Sequence, residues 1–235
     1  MWMTKIKSII SWLVTLLLPI VLVLLGIGIL LTPLYIQIEY RMPYFPDDRY
    51  GFSMEERLYW ADLSIDYLLN QEGIDFLAEL KFPEGQQAAG SCEDYIPPRD
   101  CSYLYNDREL SHMLDVKIVV RYAMIVFLGA LLVLMGLGVW AKRAGWFAEF
   151  RKALSRGGWL TVGLIAALLV YLVINFNDLF ITFHEIFFRS GTWVFRFSDS
   201  LIRLFPVIFW RDAFIWVGVI ALGSGVAIGY FLGRK

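Results

Sequence analysis

Four stretches of the chain, 9–38, 116–141, 159–177 and 213–232, are apolar on every helical face, with charges only at the start of the second. Crossing about 30 Å of hydrocarbon takes about 20 helical residues, so each is predicted to be a transmembrane helix. Pro19 marks a potential kink in the first and Pro33 stands near its outer end. That stretch is too long for the apolar region of a secretory signal, and no small-x-small cleavage site follows it, so it is expected to be retained. Between the first two spans the pattern turns amphipathic: Ser53-Met54-Glu55-Glu56 has the form of a capping box, and apolar residues recur at Leu58, Ala61, Ile65, Leu68 and Leu69. Gly73 is expected to end or interrupt that helix, and a loop rich in Gly, Pro and Ser follows over 82–98. After the third span, aromatics alternate with Arg189, Arg196, Arg203 and Arg211, a pattern suited to a half-embedded interfacial segment.

The expected fold is an all-α membrane protein with four transmembrane helices. Its organisation reads as an N-terminal tail and helix over 1–38, a helical extracytoplasmic domain over 39–115, a helix over 116–141, a basic cytoplasmic loop over 142–158, a helix over 159–182, an extracytoplasmic interfacial loop over 183–212, and a fourth helix with its tail over 213–235. Composition agrees: 58% of the residues are hydrophobic and the mean hydropathy is +0.59, too apolar for a soluble sphere. Basic residues set the orientation. Lys5 and Lys7, then Lys142, Arg143, Arg151, Lys152 and Arg156, then Arg234 and Lys235 fall on one side, which places both termini in the cytoplasm of a multi-pass cell-membrane protein. A formal net charge of −1 leaves no basic field for nucleic acid, which is excluded as a partner.

Candidate chemistry is sparse. The chain has two histidines, His112 and His184, and both fall where a long apolar helix meets the outer face. Imidazole exchanges protons near neutral pH, so two of them converging at a lipid interface point to acid–base chemistry on a lipid. Asp115 is three positions after His112 and shares its helical face, where it could orient the ring; Lys117 and Arg121 follow on the next turns. The plainer reading of this group is the charged head of a transmembrane helix whose long side chains snorkel to water. No His-Glu-x-x-His helix, Gly-x-Ser-x-Gly elbow or thiol beside a base is present, and neither a metal nor a cofactor is expected. Cys92 and Cys101, on the oxidising side, are expected to form a disulfide that braces a short loop. Gly218, Gly223, Gly225 and Gly229 in the last span read as close helix packing.

Three segments then carry a specific resemblance: Glu109-Leu-Ser-His-Met-Leu-Asp-Val-Lys117, Phe183-His-Glu-Ile-Phe-Phe188 followed by Trp193, and Asp199-Ser-Leu-Ile-Arg-Leu-Phe-Pro206. With Tyr50-Gly-Phe-Ser-Met-Glu-Glu-Arg-Leu58, they resemble, in order and topology over nearly the whole chain, the bacterial four-helix integral membrane family that includes Lit, the lipoprotein intramolecular transacylase. The region 81–101 does not fit the family pattern and reads as a variable insert. The resemblance implies migration of the sn-2 acyl chain of an S-diacylglyceryl cysteine to that cysteine's own α-amino group, giving a lyso-form lipoprotein. The family's two histidines correspond to His112 and His184, and the implied partners are diacylglyceryl-modified bacterial lipoproteins and membrane lipid. Arg121 and Arg189 are candidate headgroup or oxyanion contacts, and Trp193 a candidate wall of the acyl pocket.

Two rivals stay open at this point. A metal-dependent hydrolase at the lipid interface, using His112, His184 and Asp115 or Asp178, would lose activity on chelation and release fatty acid. A non-enzymatic sensor or assembly partner would change no lipid at all.

Overall fold

The computed structural model describes residues 2–234, and Lys235, one of the orienting charges, lies outside them. The described residues are helical throughout apart from loops and a single antiparallel bridge between Lys81 and Tyr103. In chain order the α-helices are α1 (Trp2–Leu30), α2 (Pro33–Glu39), α3 (Met54–Leu69), α4 (Asp75–Ala78), α5 (Asp107–Arg143), α6 (Phe147–Ile174), α7 (Phe176–Phe187), α8 (Ser200–Leu204) and α9 (Val207–Gly233). Four of them, α1, α5, α6 and α9, are long and apolar enough to cross a membrane.

Their boundaries differ from the hydropathy pattern in ways with physical causes. The first apolar stretch is two helices, because Thr32 is extended (φ −104°, ψ 153°) and Pro33 opens α2 at a position where its missing N–H costs nothing. The second begins at Asp107, so charged turns carrying Glu109 and His112 belong to the same helix as the apolar run. The third, α6, starts at Phe147, within what reads as the basic loop, and ends at Ile174. His184 lies on a separate helix, α7, rather than in a loop.

The chain divides into two compact units. One comprises the residues up to Ile29, Ala123–Phe176 and those from Phe214 onward, packed around Val14, Leu18, Leu134, Trp146, Phe150 and Ile165. Within it α6 and α9 approach closely: a Cβ at Gly158 would stand 2.6 Å from the carbonyl oxygen of Gly225 and 2.7 Å from the Gly229 nitrogen. Ser155 Oγ donates to Gly229 O at 2.7 Å beside it. Gly218 and Gly225 share this close-packed character, whereas Gly223 has open space around it. Ile125, Leu128 and Leu132 of α5 and Val170 and Val173 of α6 are exposed. An apolar surface of that extent on a single unit is what a bilayer covers.

The other unit comprises Leu30–Tyr122 and Asn177–Ala213. Its core gathers Tyr40, Trp60, Ile65, Leu77, Leu104, Tyr105, Leu204 and Phe209. The Ser53 capping box forms, with Glu56 N donating to Ser53 Oγ at 3.2 Å and Ser53 N to Glu56 Oε2 at 2.7 Å. On α3, Ala61, Ile65 and Leu68 are buried as their spacing predicts, but Leu69 faces out, and the helix ends at Asn70, before Gly73. A buried ion pair anchors α8: Arg203 Nη2 lies 2.9 Å from Asp48 Oδ2, with both side chains 3% exposed, and the guanidinium sits over the Phe52 ring. Burial alone would push the Asp48 carboxyl up; hydrogen bonds from Arg203 and from Phe52 N outweigh it and hold the group below its ordinary value. Tyr35 Oη donates to Phe209 O at 2.9 Å and Tyr40 Oη donates to Leu204 O, tying α2 to α9 and α8. Cys92 and Cys101 form a disulfide, with their Cα atoms 5.3 Å apart.

Candidate active site

α7 is the carrier of the second histidine, and its spacing explains the ring's surroundings. Phe180, His184 and Phe188 recur every four residues and so stack along one face. The Phe180 and His184 ring centroids are 4.1 Å apart, and those of His184 and Phe188 are 5.5 Å apart. His184 Nδ1 lies 2.8 Å from Phe180 O. A carbonyl oxygen only accepts, so Nδ1 carries the proton and Nε2 keeps its lone pair. Burial holds the His184 pKa below the ordinary imidazole value, against the opposing pull of that hydrogen bond. The ring is therefore neutral at pH 7, with a basic nitrogen available.

His112 is positioned from the start of α5. Asn106 and Glu109 form a reciprocal cap, Asn106 N donating to Glu109 Oε2 at 2.8 Å and Glu109 N to Asn106 Oδ1 at 3.0 Å. The other oxygen of Glu109 accepts from Leu201 N at 2.6 Å, so one buried carboxyl group, its pKa pushed up to about 8 by burial, clamps the first turns of α5 and α8 together. One turn on, the His112 imidazole, 7% exposed, packs edge-on against Phe188 (4.9 Å) and Phe195 (5.3 Å). The two imidazoles lie 6.2 Å apart with an interplanar angle of 20°. Trp193 completes this cluster, its ring 4.8 Å from that of His184.

The convergence expected from the sequence is therefore present, but not every expected helper joins it. No hydrogen bond links Asp115 to His112, whose Nδ1 is buried without a partner: the imidazole turns into the aromatic cluster while Asp115 stays part-exposed. Arg121 is exposed and donates to Asn70 O at 3.3 Å, bracing the end of α3. Lys117 does likewise, its ammonium bonded to Asn70 Oδ1 and Glu72 O and lying 3.9 Å from the Tyr67 ring centroid. Arg189 is exposed, and its carbonyl accepts from both the backbone and the hydroxyl of Thr192, turning the loop that presents Trp193.

Three groups with no role in the sequence reading prove to shape the site: Phe195 as a wall, Phe180 as the fixer of a tautomer, and Glu109 as a clamp. The last two were visible as an i, i+4 aromatic–histidine pair and an Asn-x-x-Glu cap. Around them, Arg108 bridges Asp94 (3.4 Å) and Asp199 (3.3 Å), and Arg196 reaches Asp94 at 3.1 Å. These ion pairs join the disulfide loop to α5 and to the loop carrying Trp193. They border a cavity of about 470 Å³ whose lining includes Glu93, Asp94, Arg108, Ser111, Thr192 and Val194. The insert thus furnishes one wall of this cavity, whose lining includes Ser111, next in sequence to His112, but neither histidine itself. Among the described residues no three His, Cys, Asp or Glu side chains are gathered in a way that could hold a metal ion.

A family model described as lipoprotein intramolecular transacylase Lit matches residues 10–210. An uncharacterized protein of Aquifex aeolicus (strain VF5) is 26% identical over 231 residues, covering 97% of this chain and 96% of its own. Among solved structures, the chain is similar to the membrane-integral Lit of Bacillus cereus, with a TM-score of 0.67 and 20% identity over 98% of this chain and 95% of that one. A histidine-to-alanine variant of the same protein gives a TM-score of 0.67 at 19% identity, covering 99% and 94%.

Proposed function

Since the chain belongs to the lipoprotein intramolecular transacylase Lit family, we propose that it transfers the sn-2 acyl chain of an S-diacylglyceryl cysteine to that cysteine's α-amino group. The observation that carries this reading is the near-parallel pair His112 and His184, 6.2 Å apart inside an aromatic enclosure, with the proton of His184 committed to Phe180 O.

The reaction asks for little machinery. The nucleophile is an α-amine with an ordinary pKa of about 7.7–8.0, partly neutral at pH 7 and already tethered to the ester it attacks. An enclosure that folds amine and carbonyl into contact supplies near-attack geometry, worth about 7–11 kcal/mol in favourable intramolecular cases. The rings of Phe180, Phe188, Phe195 and Trp193 offer walls for such folding and limit water, which would otherwise compete as nucleophile. His184 Nε2 takes the proton from the attacking amine as the C–N bond forms. A tetrahedral oxyanion results, and the N–H of His112 donates to it. As the sn-2 ester C–O bond breaks, the imidazolium of His184 returns its proton to the glyceryl oxygen. The amide product and a free glyceryl hydroxyl result, with no water, metal or cofactor consumed.

In this reading the histidines face the extracytoplasmic side, where the substrate's glyceryl ester lies near headgroup level, and the termini are cytoplasmic. The substrates are diacylglyceryl-modified lipoproteins. Arg189, exposed on the loop before Trp193, is available for a lipid headgroup phosphate.

The test is to express the chain in a bacterium whose lipoproteins are diacylated and to fragment the N-terminal lipopeptides by tandem mass spectrometry. Wild type should place an acyl group on the cysteine nitrogen, and His112→Ala and His184→Ala should abolish it. Lipopeptides that keep a free amine would refute the activity, and conversion by the variants would refute the assignment.

A further inference from the structure

The oxyanion formed during acyl transfer must be stabilised inside an enclosure built almost wholly of phenyl rings. Phe180, Phe183, Phe188 and Phe195 contact the imidazoles and have no hydrogen to donate. His184 Nδ1–H is spent on Phe180 O, and Nε2 acts as the base. His112 supplies one N–H. A tetrahedral oxyanion has room for more than one donor, and a single donor in a low-dielectric site leaves it under-solvated.

Trp193 holds the missing group. Its ring lies 4.8 Å from that of His184, against the base, and its Nε1–H is buried with no acceptor. A buried donor left unsatisfied is costly; Trp60 and Trp146 also hold unpartnered indole N–H groups, but Trp193 alone of the three packs on a site histidine. His112 Nδ1 is buried and unpartnered as well, and its ring lies 6.2 Å from that of His184, so two unanswered ring nitrogens belong to rings that flank the base. The rest of the loop shows that Trp193 is held in place: Thr192 hydrogen-bonds back to Arg189 O, and Asp199, 5% exposed, ties Arg196 N at 2.8 Å and Arg108 at 3.3 Å.

We propose that Trp193 is a catalytic residue whose indole N–H donates to the oxyanion of the tetrahedral intermediate, alongside the N–H of His112. The wall of the acyl pocket is thus also an electrophile, and the pair His112–Trp193 forms the oxyanion hole of a site whose base is His184. No proton is exchanged with the indole: Nε1–H donates as negative charge gathers on the carbonyl oxygen, and releases it when the C–O bond of the sn-2 ester breaks. This assignment rests on the transacylase reading.

The experiment replaces Trp193 in the full-length, membrane-embedded protein with 3-benzothienylalanine, which keeps the bicyclic shape but puts sulfur where the N–H stood. A second variant is Trp193→Phe. Initial rates are measured on a synthetic diacylglyceryl lipopeptide over a range of concentrations. Loss of one oxyanion donor lowers kcat by about 10²–10³-fold. Both variants should show that fall, with KM within about twofold of wild type, because the donor engages only the transition state. A benzothienylalanine protein as fast as wild type would overturn the proposal while leaving the transacylase reading intact, and so would a loss confined to KM. A wild-type protein that fails to convert the lipopeptide at all would overturn both. The benzothienyl variant preserves packing, so the assay decides the matter even if Trp193→Phe does not fold.

Discussion

Acid titration of the reaction separates a tuned base from an ordinary histidine. Burial of His184 lowers its pKa, so the imidazole stays in its free-base form as the pH drops below the usual imidazole value. The substrate's α-amine, with an ordinary pKa of about 7.7–8.0, then sets most of the acid limb. Between about pH 6.5 and about pH 5.5 the neutral amine falls about tenfold, which sets the smallest fall in initial rate, and a lowered His184 adds less to it than an ordinary imidazole would. An unperturbed imidazole of pKa about 6.5 would drop a further five- to sixfold across that unit, for a total of about fiftyfold. The assay uses purified protein in bicelles with a synthetic lipopeptide whose amine is titrated separately, and follows disappearance of the free amine. A fall clearly smaller than fiftyfold is the expected outcome; a fall of about fiftyfold or more over this interval would refute the lowered base. The linkage runs the same way for stability. A depressed folded pKa makes the contribution full above the unfolded value of about 6.5 and lost as the pH falls through the folded value.

Three further predictions concern the frame. Asp48→Asn leaves the Arg203 guanidinium buried without its counter-charge, and should destabilise the protein by about 3–5 kcal/mol in thermal or denaturant unfolding. Gly158→Ala drives a Cβ to 2.6 Å from Gly225 O, so it should cost about 1–3 kcal/mol and lower the thermal midpoint; an unchanged midpoint would show that α6 and α9 can part freely. Replacing both Cys92 and Cys101 with Ser opens a loop of sequence separation 9, and should cost about 2–3 kcal/mol of stability, measured by the same unfolding, while acyl transfer persists.

Much of this architecture was legible in the chain, and the omissions have physical causes. Runs without charge marked the apolar helices because lipid tolerates little else, and Ser53 with Glu56 marked the start of α3. Hydropathy could not mark where α5 begins, since Asp107 to Asp115 is polar and helical for other reasons: the Asn106–Glu109 cap and the inward ring of His112. The segment around His184 looked like an interfacial loop because its composition is aromatic and basic, although Phe180, His184 and Phe188 keep helical spacing. Sequence separation correctly put Asp115 on the helical face of His112, but separation does not say which way an imidazole turns. Tertiary packing against Phe188 and Phe195 decided that. The unpaired N–H of Trp193 is likewise a property of neighbours that come from distant parts of the chain.

Intramolecular acyl migration has one signature that no rival shares: the product keeps the mass of the substrate but has lost its free amine. The direct measurement incubates the purified wild-type protein with a synthetic diacylglyceryl lipopeptide and records intact mass, free amine and free fatty acid together. The expected result is an unchanged mass, loss of the amine in step with appearance of an N-acyl fragment, no fatty acid, and an amine that persists with His184→Ala. A product lighter by an acyl group with fatty acid in solution, or a lipopeptide that keeps its amine, would contradict it.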